Sequence, residues 1–479
     1  MITNKLLLSA FIMFAAAVTN ANAGDYDKYY HDLPTKVMPV ETFTLPSYTV
    51  SITDFGAVGD GVTLCTDAIQ KAIDEVAQKG GGHVNVPLGV WLTAPIEMKD
   101  NVDLHLDKNA IIYFTPDKTL HVSKDKRERR CSPGISAERR KNISVTGEGI
   151  IDGNGAQWRP VKRGKVSDVE WNEFKAMGGV EKDKGSLWYP WDMKSGYPNL
   201  GNSPEKQEQM RNDIIRFENC ENVLIQGVTV QNSPRFHVHP CNCKNVIIDG
   251  VTVRCPWNAQ NGDAIDLSDC NQCIIVNCTV DAGDDGLCMK SGDAKRNAIA
   301  NGCTDILIQD CTVYHAHGAF VIGSEDVTAM KNIVVRQCRF AGTDTGLRFK
   351  SGIGRGGKTE NIYISDIVMS DIKDEAVILQ CDYVNLPAGV KKEDADAFVE
   401  QLKQKGEKVP EFQDINISNI VCRGSKTAIK AAGISGMNAV HDINISNSTF
   451  VYDKKGADID EQTAKVNLKN VNLVPNRAN

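Results

Sequence analysis

Four short motifs in this 479-residue chain carry groups suited to acid–base chemistry, and they recur at similar intervals. Asn261-Gly262-Asp263 comes first, and Gly283-Asp284-Asp285 follows it. Ala316-His317-Gly318 and Arg348-Phe349-Lys350 come next, at two somewhat longer gaps that nearly equal one another. With one structural repeat per interval, three Asp, one His, one Arg and one Lys line a single face over four adjacent coils. Glycoside hydrolysis uses such a set. One carboxylic acid protonates the leaving oxygen, and a second carboxylate acts on water or on the sugar. Crowded carboxyls do not all ionise easily, so one is raised and can serve as the acid. A nearby His tunes the shared proton. Arg and Lys clamp an anionic sugar. Each motif alone has an ordinary explanation: a turn, a structural His, a solvated strand face. Their coincidence on successive coils points to a carbohydrate site.

The coils themselves are visible as internal repeats. Asn142-Ile-Ser-Val-Thr-Gly, Asn222-Val-Leu-Ile-Gln-Gly, Asn245-Val-Ile-Ile-Asp-Gly and Gln272-Cys-Ile-Ile-Val-Asn align with one another. So do Asp305-Ile-Leu-Ile-Gln-Asp, Asn332-Ile-Val-Val-Arg-Gln, Asn361-Ile-Tyr-Ile-Ser-Asp, Asp414-Ile-Asn-Ile-Ser-Asn and Asp442-Ile-Asn-Ile-Ser-Asn. From Asn222 onward the starts are close to evenly spaced, except that the step from Asn361 to Asp414 is nearly double the others. Each is a polar turn residue followed by alternating β-branched residues and a second short strand such as Val228–Val230. Repeats of this length with short strands predict a solenoid, because one repeat cannot bury its own apolar side. The leading Asn or Asp suits a turn with unusual backbone angles. The fold expected is all-β, a right-handed parallel β-helix; no L-x-x-L-x-L pattern supports a leucine-rich repeat. Thr66–Gln78 has apolar residues at 68, 69, 72, 73, 76 and 77, the spacing of an amphipathic helix ended by Gly80-Gly-Gly82. Such a helix caps the raw end of a solenoid.

Two insertions break the period. Residues 155–212 hold four of the six Trp, and residues 384–413 include a helical stretch, Lys391–Lys405. Long loops leaving a rigid scaffold tend to carry binding function, with a surface flap as the alternative. The expected organisation is one catalytic domain over 24–479 behind a leader. In that leader, Lys5 precedes the apolar Leu6–Val18, and an Ala-x-Ala pattern ends at Ala23, as in a cleavable secretory signal. No Cys follows Ala23, which disfavours a lipid anchor. No later stretch stays apolar for the roughly 18 residues that a membrane span needs. The processed chain is therefore expected to be secreted or periplasmic without a membrane partner. With 54 Lys+Arg against 61 Asp+Glu the net charge is −7, which argues against nucleic acid as a partner. A polyanion would be repelled except at a local basic site. The fifteen Cys sit mostly in or beside β-like runs, where Cys acts as a small buried hydrophobe. Cys241-x-Cys243, Cys270-x-x-Cys273 and His239 fall short of a four-ligand zinc set, so neither metal nor cofactor is expected.

These motifs and their order resemble glycoside hydrolase family 28, the polygalacturonase family, over nearly the whole processed chain. The run Asp54-Phe-Gly-Ala-Val-Gly-Asp-Gly61, with Gly80-Gly-Gly82 and Val86-Pro87, extends the resemblance to the early part. Two positions depart from the family's pattern: Gly262 stands where Thr is usual, and Ala316 where Gly is usual. Neither removes a functional group, and Gly262 is expected to loosen the turn or make room for another substrate. The resemblance implies inverting hydrolysis of α-linked galacturonic acid in pectin, without a metal. It implies Asp284 as general acid, Asp263 and Asp285 as the pair activating water, and His317 as the group sustaining the acid's protonation. Arg348 and Lys350 are implied ligands of the substrate carboxylate, and Tyr383 a substrate contact. Asn261, within its motif, and His239, one coil before Asp263, are further candidates to meet substrate; a core or turn role for His239 is an equal alternative. The insertions favour closing one groove end and hence exo action. Rhamnogalacturonan hydrolysis on the same fold is the near alternative to galacturonan. A calcium-dependent pectate lyase and a non-catalytic glycan-binding solenoid are the remote ones. The leader reading has a direct check: exported protein should begin at Gly24, and an intact Met1 terminus would sink it.

Overall fold

In a computed structural model that describes residues 26–123, 131–190, 210–292, 302–383 and 395–476, the repeats stack as parallel strands into one long solenoid. The leader Met1–Ala23 lies outside the described residues. The turn residues behave as their types demand. Asn142, Asn222, Asn245, Gln272, Asp305, Asn332, Asn361, Asp414 and Asp442 all take left-handed φ between +48° and +60°. Their side chains then bond along the stack: Asn222 Nδ2 donates to Asn142 Oδ1 at 2.7 Å, Asn245 to Asn222 at 2.8 Å, and Asn361 to Asn332 at 2.7 Å. Asn444 donates to Asn416 at 3.1 Å in the same way, so these Asn serve the ladder. The alternation that follows each turn sends Val223, Ile225, Val246, Ile248, Cys273 and Ile275 into one continuous core. All fifteen cysteines are free thiols and fourteen are buried.

The residues between the inward ones, Leu224, Ile247, Ile274, Leu307 and Val334, point outward and are nonetheless buried. No period in the sequence marks what covers them. An N-terminal strap with Tyr26, Tyr29, Val37 and Val40 lies across them. It is tied down polar group by polar group: Tyr26 Oη donates to Asp249 at 3.0 Å, and the Glu41 amide to Asn245 at 2.8 Å. At the N-terminal end the helix Thr66–Gln78 forms over the expected residues and buries Ala68, Ile69, Ala72, Ile73 and Val76.

The sheet that matters for function runs through the strands Val238–Cys241, Ile265–Ser268, Leu287–Ser291, Gly318–Asp326, Thr345–Lys350 and Glu375–Gln380, each paired to the next. Register places Asp266 beside Cys288, Cys288 beside Val321, and Val321 beside Arg348. These outward positions form a groove floor. The turns just before the strands carry Asp263, Asp284, Asp285 and His317, so the four motifs occupy four adjacent coils as their spacing requires. Within Arg348-Phe349-Lys350, alternation sends Phe349 inward between Phe320 and Phe412, with ring centroids at 6.2 and 6.0 Å, and its two basic neighbours outward.

The first insertion folds as a small unit. The helix Asp168–Ala176 packs with three antiparallel strands around Val161, Val166, Trp171 and Trp188. Trp171 and Trp188 pack inside this unit and Trp158 packs with Cys131 and Met210; Trp191 lies outside the described residues. In the second insertion the helix spans Ala395–Gln404, with 391–394 outside the described residues. The chain rejoins the stack at Glu411–Phe412, slightly before the expected boundary at 413. Because Phe349 sets the position of both basic residues, Phe349→Ala should cost about 3–5 kcal/mol of stability. A melting midpoint within a degree of the parent would contradict this packing role.

Candidate active site

The three carboxylates expected from the motifs converge, but their surroundings differ. Asp285 is buried; Lys350 Nζ donates to its Oδ2 at 2.7 Å, and Arg348 Nη1 stands 3.8 Å from Oδ1. Burial alone would raise this carboxyl, yet Lys350, Arg348 and Lys290 together hold it below the usual carboxylate range. Asp263 is also buried and accepts from Lys290 Nζ at 2.8 Å. The same ammonium bonds Asp266, which is fully buried. Burial raises both carboxyls above their ordinary range and outweighs the single cation, with mutual repulsion adding to it. Burial opposes the charge on Lys290, but Asp263 and Asp266 hold it as a cation. Two acids thus share one ammonium, whereas Asp285 has Lys350 and Arg348 beside it.

Asp284 stands half-buried on the rim, where the Asn261 amide donates to its Oδ2 at 3.3 Å. Its backbone carbonyl accepts from the His317 amide at 2.8 Å. The His317 ring turns to Asp344, with Nδ1 at 3.0 Å from Oδ2, and Lys373 holds the other oxygen of Asp344 at 3.2 Å. Four buried polar atoms at this place have no hydrogen-bond partner: Asp263 Oδ1, Asp266 Oδ2, Asp285 Oδ1 and Arg348 Nη1. Native proteins rarely leave such buried atoms unmatched.

The remaining expected residues divide. Lys350 is spent on Asp285, whereas Arg348 makes no closer contact with that carboxyl than 3.8 Å and keeps an unpartnered Nη1. The side chain of Asn261 is engaged too: its Oδ1 accepts from Arg211 Nη2 at 2.9 Å, so it braces the turn. His239 lines the groove, but both ring nitrogens meet protein groups, Asp213 at 2.8 Å and Ser268 at 2.9 Å. Tyr383 follows the strand Glu375–Gln380 and donates its amide to Ser351 at 3.1 Å, beside the segment that carries Lys350. The expectation for Gly262 is corrected. A side chain there would meet Ala259 Cβ at 2.9 Å and Cys255 Sγ at 3.1 Å, so the space is filled by protein and adds no room for substrate. Gly283 is tighter still, with the Pro256 and Ala259 carbonyl oxygens each 2.6 Å from where Cβ would sit.

Several contributors are not marked by any motif. Asp344 follows His317 by one coil, a spacing that could have signalled it. Lys290 interrupts an apolar strand, a weaker signal. Lys165 has none: it arrives from the first insertion and donates to the Gly283 carbonyl at 3.1 Å. Burial pushes its ammonium below the usual lysine range, against the pull of Asp284 and Asp344. The Asp263, Asp266 and Cys288 ligand atoms lie within 4.8 Å of one another, but the Lys290 ammonium is bonded to both carboxyls.

A parallel β-helix with clustered carboxyls in unlike electrostatic surroundings beside basic residues is a glycosidase type of site. Residues 165–405 match glycosyl hydrolases family 28, and residues 49–118 match rhamnogalacturonase A/epimerase, pectate lyase-like. The chain belongs to glycosyl hydrolases family 28. A probable polygalacturonase of Vitis vinifera is 26% identical over 343 residues, covering 68% of this chain and 62% of its own. An exo-poly-alpha-D-galacturonosidase of Dickeya chrysanthemi is 25% identical over 420 residues, covering 84% and 67%. These matches span about two thirds of the length of each relative. The hyperthermoactive exopolygalacturonase from Thermotoga maritima superimposes with a TM-score of 0.69 at 27% identity, over 92% of this chain and 96% of that one. Family and fold stand as the motifs implied.

The shared ammonium yields a pH-dependent prediction. A carboxyl whose folded pKa is raised costs stability as pH rises above its unfolded value of about 4, because only the unfolded chain then ionises freely. Removing Lys290 raises Asp263 and Asp266 further. Lys290→Met should therefore lower the melting midpoint more at pH 7 than at pH 4, with a loss at pH 7 of about 3–5 kcal/mol. An equal loss at both pH values would contradict the charge-sharing arrangement.

Proposed function

We propose that this protein is a polygalacturonase that removes galacturonic acid from the ends of pectic chains by inverting hydrolysis. The observation that carries the reading is the ladder of Asp263, Asp284 with Asp285, His317 and Arg348 with Lys350 on four adjacent coils of one groove. The similarities to an exopolygalacturonase and an exo-poly-alpha-D-galacturonosidase support galacturonan as substrate and end-wise attack.

In this reading Asp284, on the open rim, protonates the glycosidic oxygen as the bond to the anomeric carbon breaks. Asp285, held ionised by Lys350 and Arg348, takes a proton from the water whose oxygen bonds that carbon from the opposite face. Asp263 provides the second hold on that water. His317, fixed by Asp344 and joined to Asp284 through the backbone, steadies the acid. Arg348 takes the substrate carboxylate, and Tyr383 contacts the sugar beyond it. Lys165 brings a second cation against the catalytic turn from the opposite wall. Its insertion thereby narrows the groove, which favours end-wise action. Export behind the leader places the enzyme in the periplasm or outside the cell, where pectic polymers are met.

The test is a time course on de-esterified polygalacturonate with chelator present. Galacturonic acid alone from the first time point is expected. An early spread of oligomers would overturn end-wise action, and an unsaturated product absorbing in the ultraviolet would overturn hydrolysis. Release from rhamnogalacturonan alone would move the substrate assignment. Asp284→Asn should lower kcat about 10²–10⁴-fold with an unchanged melting midpoint. Lys165→Met should raise KM for a galacturonate dimer about tenfold, the scale of one charge-assisted hydrogen bond. An unaltered KM would remove Lys165 from substrate contact.

A further inference from the structure

Among the fifteen cysteines Cys241 alone is partly exposed. It opens on a groove pocket of about 690 Å³, whose lining includes Arg216, Arg235, Phe236, His239, Ser268 and Lys290. Its sulfur is not isolated. Cys241 Sγ lies 3.2 Å from His239 Nε2, while His239 Nδ1 lies 2.8 Å from Asp213 Oδ2. Asp213 is buried and further held by Arg216 at 3.1 Å. A thiol, an imidazole and a carboxylate in line form the arrangement by which proteins activate a nucleophile: the carboxylate orients the ring, and the ring faces the sulfur.

The neighbours reinforce it. Arg216 reaches toward this corner from the preceding coil and also pairs with Glu218. The Lys290 ammonium and the Arg235 guanidinium each sit 4.3 Å from the centre of the Phe236 ring, whose edge meets His239 at 5.0 Å. Burial alone would discharge His239, but Cys241 and Asp213 hold the imidazolium, raised to about 9. Ser268 Oγ shares the same ring nitrogen at 2.9 Å, and it is the poorer nucleophile of the two. Of these residues only Lys290 also serves the hydrolytic set, through Asp263 and Asp266. The catalytic acids lie one and two coils further on.

We propose that Cys241 is an activated thiol and the single modification site of the folded protein, and that an adduct on its sulfur blocks the groove beside the catalytic carboxyls. The second half rests on the groove being the substrate site, as proposed above. With iodoacetamide as probe, Sγ attacks the methylene carbon, an S–C bond forms, the C–I bond breaks and iodide leaves. The thiol proton passes to water, and the His239 imidazolium stays beside the sulfur. Small soft electrophiles are the class of modifier this pocket takes.

Native protein treated with iodoacetamide and digested for mass spectrometry should carry one adduct, on Cys241. Galacturonan hydrolysis should fall with the same time course, and added galacturonate oligomer should slow both. His239→Gln or Asp213→Asn should slow the labelling of Cys241 about tenfold or more, with melting curves showing that the variant is folded. Treated and untreated Cys241→Ser should turn over equally. An unmodified Cys241 in folded wild-type protein, or label spread over several thiols, overturns the single-site assignment and needs no variant to be read. Labelling at an undiminished rate in both folded variants overturns activation by the ring. Full labelling with undiminished hydrolysis overturns the blocking role. If untreated protein hydrolyses no galacturonan, the proposed activity fails, and labelling alone decides the thiol.

Discussion

A carboxylate taken out of water needs a cation or a proton, and this groove buries three carboxyls within two adjacent coils. The way they are compensated is unequal. Asp263 and Asp266 share Lys290, whereas Asp285 has Lys350 and Arg348 to itself. Identical side chains are thereby driven in opposite directions, Asp263 and Asp266 upward by burial and Asp285 downward by its cations. Removal of either cation strands a charge in a low-dielectric place, so the site and the stability of these coils depend on the same ion pairs.

The β-helix is what makes this pairing reproducible. Each strand of the groove sheet pairs with the next, with one register shift where Met289 faces Ile322 and Ser291 faces Asp326, so a residue's neighbour in space is one coil away in sequence. Lys290 reaches Asp263 and Asp266 across one coil step, and Lys350 reaches Asp285 across two. Beneath the floor Phe349 packs between Phe320 and Phe412, and on another side of the stack the Asn ladder runs along the turns. Rigid, repetitive backbone supplies positions, and the turns ahead of each strand supply the reactive groups. The first insertion adds a contact from outside the stack: Lys165 donates to the Gly283 carbonyl of the catalytic turn.

Motif roles and structural roles did not map one to one. Arg348-x-Lys350 reads as a pair of substrate ligands, yet Lys350 is occupied by Asp285. Asn261 reads as a contact residue, yet its side chain is held by Arg211 while its amide supports Asp284. Gly262 reads as extra space, yet Ala259 and Cys255 fill that space. In each case the residue type was suited to both roles, and burial and the nearest charged neighbour chose between them. The N-terminal strap was equally hidden, because Tyr26, Tyr29, Val37 and Val40 follow no period and look like any loop.

By itself the sequence determined the solenoid, its capping helix, the turn residues, the inward face of each strand and the order of the four motifs. All of these follow from local rules. Period-two alternation, left-handed tolerance of Asn and a repeat length near one coil act over a few residues and leave a trace in linear order. The tertiary structure alone decided which carboxyl pairs with which cation, where Lys165 from the insertion lands, what covers the outward apolar column, and how Cys241, His239 and Asp213 come into line. These depend on desolvation and on charges brought together from different coils, and neither quantity exists until the chain is stacked.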